Sequence, residues 1–247
     1  MNWSGLAGIA LVVLSSALLL GLTLLRRKNT STFREIPAFA RLRKAIGLAV
    51  EEGSRLHISL GRGNLTTPQG AAELAGLEML HRLSELTAAS DRPPVATSGD
   101  GTVAILSQEV VRNVTPVALL KDYDPSAARL TGLTPFSYAA GVLPVMQDET
   151  VSTNVMVGNF GVEAALLTDT AERLNTSIFA GSDNLPAQAI LYAGAHDPLI
   201  GEELYAAGAY LKPRPFHTAS LVVQDILRWL IVAAILIGVL LRLAGMR

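Results

Sequence analysis

The first 25 residues carry no charged side chain. Within them, Leu6 to Leu25 (LAGIALVVLSSALLLGLTLL) is an uninterrupted apolar run. That is about the 20 residues a helix needs to cross a bilayer. Hydrocarbon offers the backbone no hydrogen-bond partners, so such a run must be helical. Arg26, Arg27 and Lys28 follow at once. A cleavable signal peptide would place its positive charges before the apolar run and end it on a small-residue cleavage site. The order here is reversed, which predicts an uncleaved anchor; the alternative is a buried core helix. A second run, Ile226 to Arg247, has an uncharged centre from Trp229 to Leu241. Arg228 and Arg242 stand near its ends, where long cationic side chains reach the headgroups, and Trp229 suits the interface. It predicts a span from about Ile226 to Ala244, with a peripheral C-terminal helix as the alternative. These two segments account for a chain that is 50% hydrophobic and only 17% charged.

Positive charge sets the expected orientation. Arg26, Arg27, Lys28, Arg34, Arg41, Arg43 and Lys44 follow the first span, and Lys212, Arg214 and Arg228 precede or open the second. Only Arg242 and Arg247 lie beyond. Lys/Arg excess marks the cytoplasmic side. The expectation is a two-pass membrane protein, with both termini outside and the soluble part cytoplasmic. Three segments follow: residues 1–28 as anchor, 29–215 as an α/β domain, and 216–247 as connector and second membrane helix. The stretch KPRPFHTAS (Lys212 to Ser220) is expected to be a stiff connector. The pair Asp225 and Arg228 has helix-surface spacing.

Between the spans, short apolar runs alternate with amphipathic ones. PAFARLRKAIGLAVEEG has helical spacing at Phe39, Leu42, Ile46 and Val50, with Pro37 in the first turn and Gly53 as cap. LHISL, PPVATS, VSTNVMV and TSIFA read as strands. TPQGAAELAGLEMLHRLSEL, with Thr67 as N-cap and Pro68 at the first position, reads as a helix. So do TVAILSQEVVRNV, GVEAALLTDTAERLN and IGEELYAAGAYL. TPFSYAAGVLPVMQ is helical, with Pro144 kinking or ending it. PAQAILYA fits either state. His196-Asp197 before Pro198 reads as a turn. This alternation argues for βαβ units. The predicted class is α/β: one three-layer, mainly parallel, Rossmann-like sheet domain flanked by two transmembrane helices.

Four glycine-bearing turns follow strands: Gly61-Arg62-Gly63-Asn64, Ser98-Gly99-Asp100-Gly101, Gly158-Asn159-Phe160-Gly161 and Gly181-Ser182-Asp183-Asn184. In a parallel sheet they would share the C-terminal edge, where such sheets bind ligands. Free N–H groups at the following helix starts would favour an anion. Arg62 would add a charge, and Asp100 or Asp183 would receive a sugar hydroxyl. The candidate ligand set is therefore Gly61, Arg62, Gly63, Asn64, Ser98, Gly99, Asp100, Gly158, Asn159, Gly181, Ser182 and Asp183. The competing reading is plain turn chemistry, since none of the four matches GxGxxG or GxxxxGK[ST].

No catalytic or metal site is predicted. The chain has no cysteine, so it has no disulfide, thiolate site or cysteine nucleophile. His57 lies in a strand, His81 on an amphipathic helix, and no histidine pair has ligand spacing. Ser98 and Ser182 are not in a GxSxG turn. Glu202-Glu203 is explained by the helix dipole. A formal charge of −1 gives no field for nucleic acid.

The stretches AIGLAVEEGSRLHISLG, ASDRPPVATSGDGTVAILSQEVVR, YAAGV, NVMVGNFGVEAALLTDTAERLN and IGEELYAAGAYL, followed by SLVVQDILRW, resemble an uncharacterised bacterial membrane-protein family, over most of residues 37–235. The resemblance implies an α/β domain between two membrane helices, and no catalytic residue. Three functions stay open. The first is a self-assembling scaffold forming a homo-oligomer at the inner face of the bilayer. The second is a nucleotide- or anion-binding module, or an enzyme, using the glycine turns. The third is an accessory subunit of a larger membrane complex. No cofactor is implied.

Overall fold

The computed structural model describes residues 3–25, 33–67, 70–88, 90, 92–116, 123–211 and 215–243. Contacts divide the chain into two units, Met1–Arg34 with Lys212–Arg247, and Glu35–Leu211.

The first unit holds helices α1 (Trp3–Leu25) and α9 (Pro215–Leu243), which pack against each other. Each is long and apolar enough to cross a membrane, and their most apolar 18-residue windows bury nothing inside the protein. Leu20, Leu24, Ile235 and Leu240 are each at least 60% exposed, a surface that suits hydrocarbon and not water. The expected connector is corrected in part. Pro215 to Ser220 form the first turns of α9, because a proline costs nothing in a helix's first turn, where its missing N–H would be unbonded anyway. Lys212, Pro213 and Arg214 lie outside the described residues, as do Arg26 to Lys28, Pro68, Ala244 and Arg247. Arg228 and Asp225 pair at 3.4 Å.

The second unit is α2 (Pro37–Glu52), β1 (Arg55–Gly61), α3 (Gly70–Leu86), β2 (Val95–Ser98), α4 (Gly101–Val114), β3 (Ala128–Leu130), α5 (Pro135–Asp148), β4 (Val151–Asn159), α6 (Ala164–Arg173), β5 (Ser177–Ser182), α7 (Leu185–Gly194), β6 (Asp197–Pro198) and α8 (Ala207–Leu211). The six strands are all parallel, in the order β3-β2-β1-β4-β5-β6. Alternate residues of each strand face opposite helix layers. Leu56, Ile58, Leu60, Val155, Val157 and Phe179 pack with apolar residues of α2, α3, α4 and α8. Met156, Ile178 and Ala180 pack with those of α5, α6 and α7. The chain thus winds outward from β1 on one face, then crosses on the other face through α5 to β4.

Several elements differ from the pattern in the sequence. The edge strands β3 and β6 are three and two residues long, too short for any alternation to register. Asp197 is a strand residue and not part of a turn; its carboxylate accepts from Arg41 of α2. α5 runs four residues past Pro144. Pro144 and Ala140 are both exposed, so the carbonyl left without an N–H partner meets water. PAQAILYA is helical, as α7. IGEELYAAGAYL begins as a 3₁₀ turn, Gly201–Ala206, before α8.

Candidate functional site

All four glycine turns stand at the C-terminal edge, on the four adjacent strands β2, β1, β4 and β5. The strand order reverses between β1 and β4, and that is where doubly wound sheets leave a crevice. A cavity of about 720 Å³ opens there. It is lined by Arg62, Gly63, Asn64, Thr67, Asn159, Asp183, Asn184, Leu185 and Pro186. Seven of the candidate residues, Gly61, Ser98, Gly99, Asp100, Gly158, Gly181 and Ser182, are at the same edge but do not line it. A smaller cavity of about 270 Å³ lies at the opposite edge, beside Arg55, Ser84, Pro94, Val111 and Tyr123.

Behind the crevice stands Glu73, from the first turn of α3, which is fully buried. Its Oε1 accepts the Gly63 N–H at 2.7 Å and the Asn159 N–H at 3.0 Å. These donors come from the turns after β1 and β4, on either side of the reversal. Burial pushes the Glu73 carboxyl up to about 8; the Asn159 and Gly63 amides oppose that rise, and Asp183 and Asp100 add to it. Three glycines make this arrangement possible. Gly61 has φ +73°, a left-handed turn, and a Cβ there would strike the Asn159 backbone. A Cβ on Gly63 would strike the Glu73 carboxylate, and one on Gly76 would strike the Val157 carbonyl, where α3 crosses β4.

Several other donors of the four turns are also engaged. Asp100 caps α4, accepting from Thr102 N at 2.9 Å and Val103 N at 3.1 Å, and takes Asn64 Nδ2 at 3.2 Å. Ser182 Oγ accepts from Phe160 N at 3.2 Å and Asn184 N at 3.3 Å. Glu163, fully buried, accepts the Gly161 N–H at 2.9 Å and Arg62 Nε at 2.8 Å. Burial disfavours its charge, yet Arg62 and Gly161 hold its carboxyl below the ordinary value. Asp183 accepts Asn159 Nδ2 at 2.7 Å. Ser98 Oγ donates to the Asp100 carbonyl at 3.0 Å and accepts the Asp100 N–H at 3.1 Å.

Beneath the crevice runs a buried polar seam. His57 Nδ1 meets Asn154 Oδ1 and Nε2 meets Thr97 Oγ1, each at 2.9 Å. Asn154 Nδ2 donates to Thr176 at 2.8 Å. Burial lowers the His57 pKa to about 4, so the ring is neutral and its two nitrogens serve as one donor and one acceptor. Tyr138 of α5 joins Ser59 at 2.6 Å and accepts the Gly61 N–H at 3.1 Å, and burial pushes its hydroxyl up to about 12. Both groups are fixed in the neutral form. Among the described residues no three His, Asp or Glu side chains stand together to hold a metal ion.

The chemistry of the open crevice is therefore that of amides, one carboxylate and a paired guanidinium: a surface for hydrogen-bonding small polar molecules. Of its lining residues, Thr67, Asn184, Leu185 and Pro186 are absent from the set picked by sequence, as are Glu73 and Glu163 behind it. A signal for the last two exists. Glu73 precedes Gly76, Leu77 and Leu80 at helical spacing, and Glu163 precedes Leu167 in the same way, so each lies on its helix's apolar stripe.

Fold and crevice define a doubly wound α/β protein, with a ligand-type opening at its topological switch, carried on a chain with two membrane-length helices. The particular family is that of the Domain of unknown function (DUF6754), which matches residues 3–247; the chain belongs to it. No curated protein and no solved structure matches the chain.

Proposed function

We propose that this chain is a membrane-tethered binding protein whose α/β unit holds a small polar molecule in the crevice between β1, β4 and β5. One observation carries this reading: an open cavity of about 720 Å³ coincides with the reversal of strand order. That volume lies within the range usual for small-molecule sites. The domain would lie on the cytoplasmic side, in keeping with the Lys/Arg excess after the first span. The test is a binding screen of the full chain in nanodiscs against sugars, nucleosides and nucleotides, by ligand-observed NMR. Asn184 makes no capping bond with its side chain, so Asn184→Trp crowds the crevice without removing one. A ligand lost in Asn184→Trp supports the reading. A ligand indifferent to it, or no ligand at millimolar concentration, refutes it.

The cysteine-free chain makes the orientation testable. Glu51→Cys should resist a membrane-impermeant maleimide in intact cells, and Asn2→Cys should react. The reverse pattern refutes a cytoplasmic domain.

A second reading, self-assembly at the membrane face, has its own support. Leu133, Phe136, Val162 and Leu185 are each at least 58% exposed, at the starts of three neighbouring helices, α5 to α7. An apolar fringe of this kind favours association, and tethering to one plane lowers its entropic cost. A discrete multimer by light scattering, dispersed by Phe136→Asp, would support it; a monomer would refute it.

A further inference from the structure

We infer that Glu73 is the resident occupant of the crevice's anion seat, so that the molecule bound there is a neutral, hydroxyl-rich one, such as a sugar or an unphosphorylated nucleoside. This rests on the binding reading above and narrows its ligand class. In doubly wound nucleotide-binding folds, one glycine makes the tight turn after β1, a second lets a pyrophosphate approach the backbone, and a third lets the helix pack on the sheet. Gly61, Gly63 and Gly76 perform the same three tasks here at a different spacing. The oxygen that Gly63 admits is Glu73 Oε1, which takes the N–H groups of Gly63 and Asn159 at 2.7 and 3.0 Å. The seat is built and already filled from within. Among the described residues its second oxygen, Oε2, is buried without a hydrogen-bond partner.

What remains of the wall points the same way. Asn64, Asn159 and Asn184 offer amides and Asp183 offers acceptors, which together recognise hydroxyls. The cation there, Arg62, is already joined to Glu163 at 2.8 Å. With Asp183 in the wall and Asp100 at the same edge of the sheet, a phosphate would meet like charge.

The test uses the full chain in nanodiscs, titrated with inorganic pyrophosphate and, separately, with adenosine and with ribose, by calorimetry. Native chain should take up adenosine or ribose and show no pyrophosphate binding. Glu73→Ala frees two buried N–H groups and should gain pyrophosphate binding by about tenfold or more. Glu73→Gln, which keeps an oxygen on the same donors, should still exclude pyrophosphate, and it serves where Glu73→Ala does not fold. Pyrophosphate binding to native chain, or an equal gain in Glu73→Gln, overturns the occupancy. If neither diol binds native chain while Glu73→Ala gains pyrophosphate, the occupancy stands and the ligand class falls. If pyrophosphate binds native chain and Asn184→Trp abolishes it, the crevice reading survives and this inference fails.

Discussion

Replacing Glu73 by Gln should change how stability depends on pH, in a direction opposite to that of a surface carboxylate. The Gln oxygen still accepts from Gly63 and Asn159, so the shape of the site persists. The native carboxyl holds its proton up to about pH 8, against an ordinary value of 4.5. Between those values the folded chain binds a proton that the unfolded chain releases, so stability falls as pH rises. At about 1.4 kcal/mol per pH unit, the whole window is worth about 5 kcal/mol. Of that, about 2 kcal/mol falls between pH 6.5 and 9, the interval easiest to work in. The variant has no such proton, and the contribution of His57 is common to both chains and cancels. Urea titrations of full-length protein in dodecyl maltoside, followed by circular dichroism, report the α/β unit, since helices in a micelle keep their internal hydrogen bonds. Native stability should drop relative to Glu73→Gln by about 2 kcal/mol from pH 6.5 to 9. Parallel curves, or native chain gaining on the variant, would refute the claim that burial without a cation keeps this carboxyl protonated.

The same assay checks three further expectations. His57 titrates near 4 when folded against 6.5 when unfolded; protons therefore favour the unfolded chain, and native protein should lose about 3 kcal/mol relative to His57→Gln as pH falls from 6.5 to 4. Gly61→Ala places a Cβ against the Asn159 backbone at φ +73° and should cost about 2 kcal/mol or more, read from the urea midpoint. Arg62→Ala strands the buried Glu163 carboxylate and should cost about 3 kcal/mol; adding Glu163→Gln should recover most of it, and an additive double variant would contradict the pairing.

The long periodic elements were legible because their pattern outlasts their noise. Phe39, Leu42 and Ile46 are all buried on α2, and Gly53 caps it with φ +66°. The shared edge of the four turns was legible too, since parallel strands put every βα turn at the same end. What no local pattern encodes is which crossover reverses the winding. That depends on α5 packing against the face opposite α3 and α4, a choice made by the whole core. Hence the crevice between β1 and β4, with Thr67, Asn184, Leu185 and Pro186 in its wall, could not be singled out from four similar turns. The short strands β3 and β6 escaped for a simpler reason, having too few residues to alternate.

Glu73 and Glu163 show why a residue's type predicts less than its position. Both are glutamates near a helix start, where the helix dipole and solvent explain most carboxylates. Both instead lie on a buried stripe behind a glycine turn, and each uses one oxygen to take a backbone N–H from that turn. Their charge states then part company. Arg62 stands 2.8 Å from Glu163 and keeps it ionised; Glu73 takes the Gly63 and Asn159 amides, with Asp100 and Asp183 nearby, and is driven towards the neutral acid. A buried carboxylate without a cation is costly unless it protonates or finds strong donors. Glu73 does both, and in doing so it ties the turn after β1 to the turn after β4 across the point where the sheet reverses. The crevice is thus held open by a group that would otherwise be expected on its ligand.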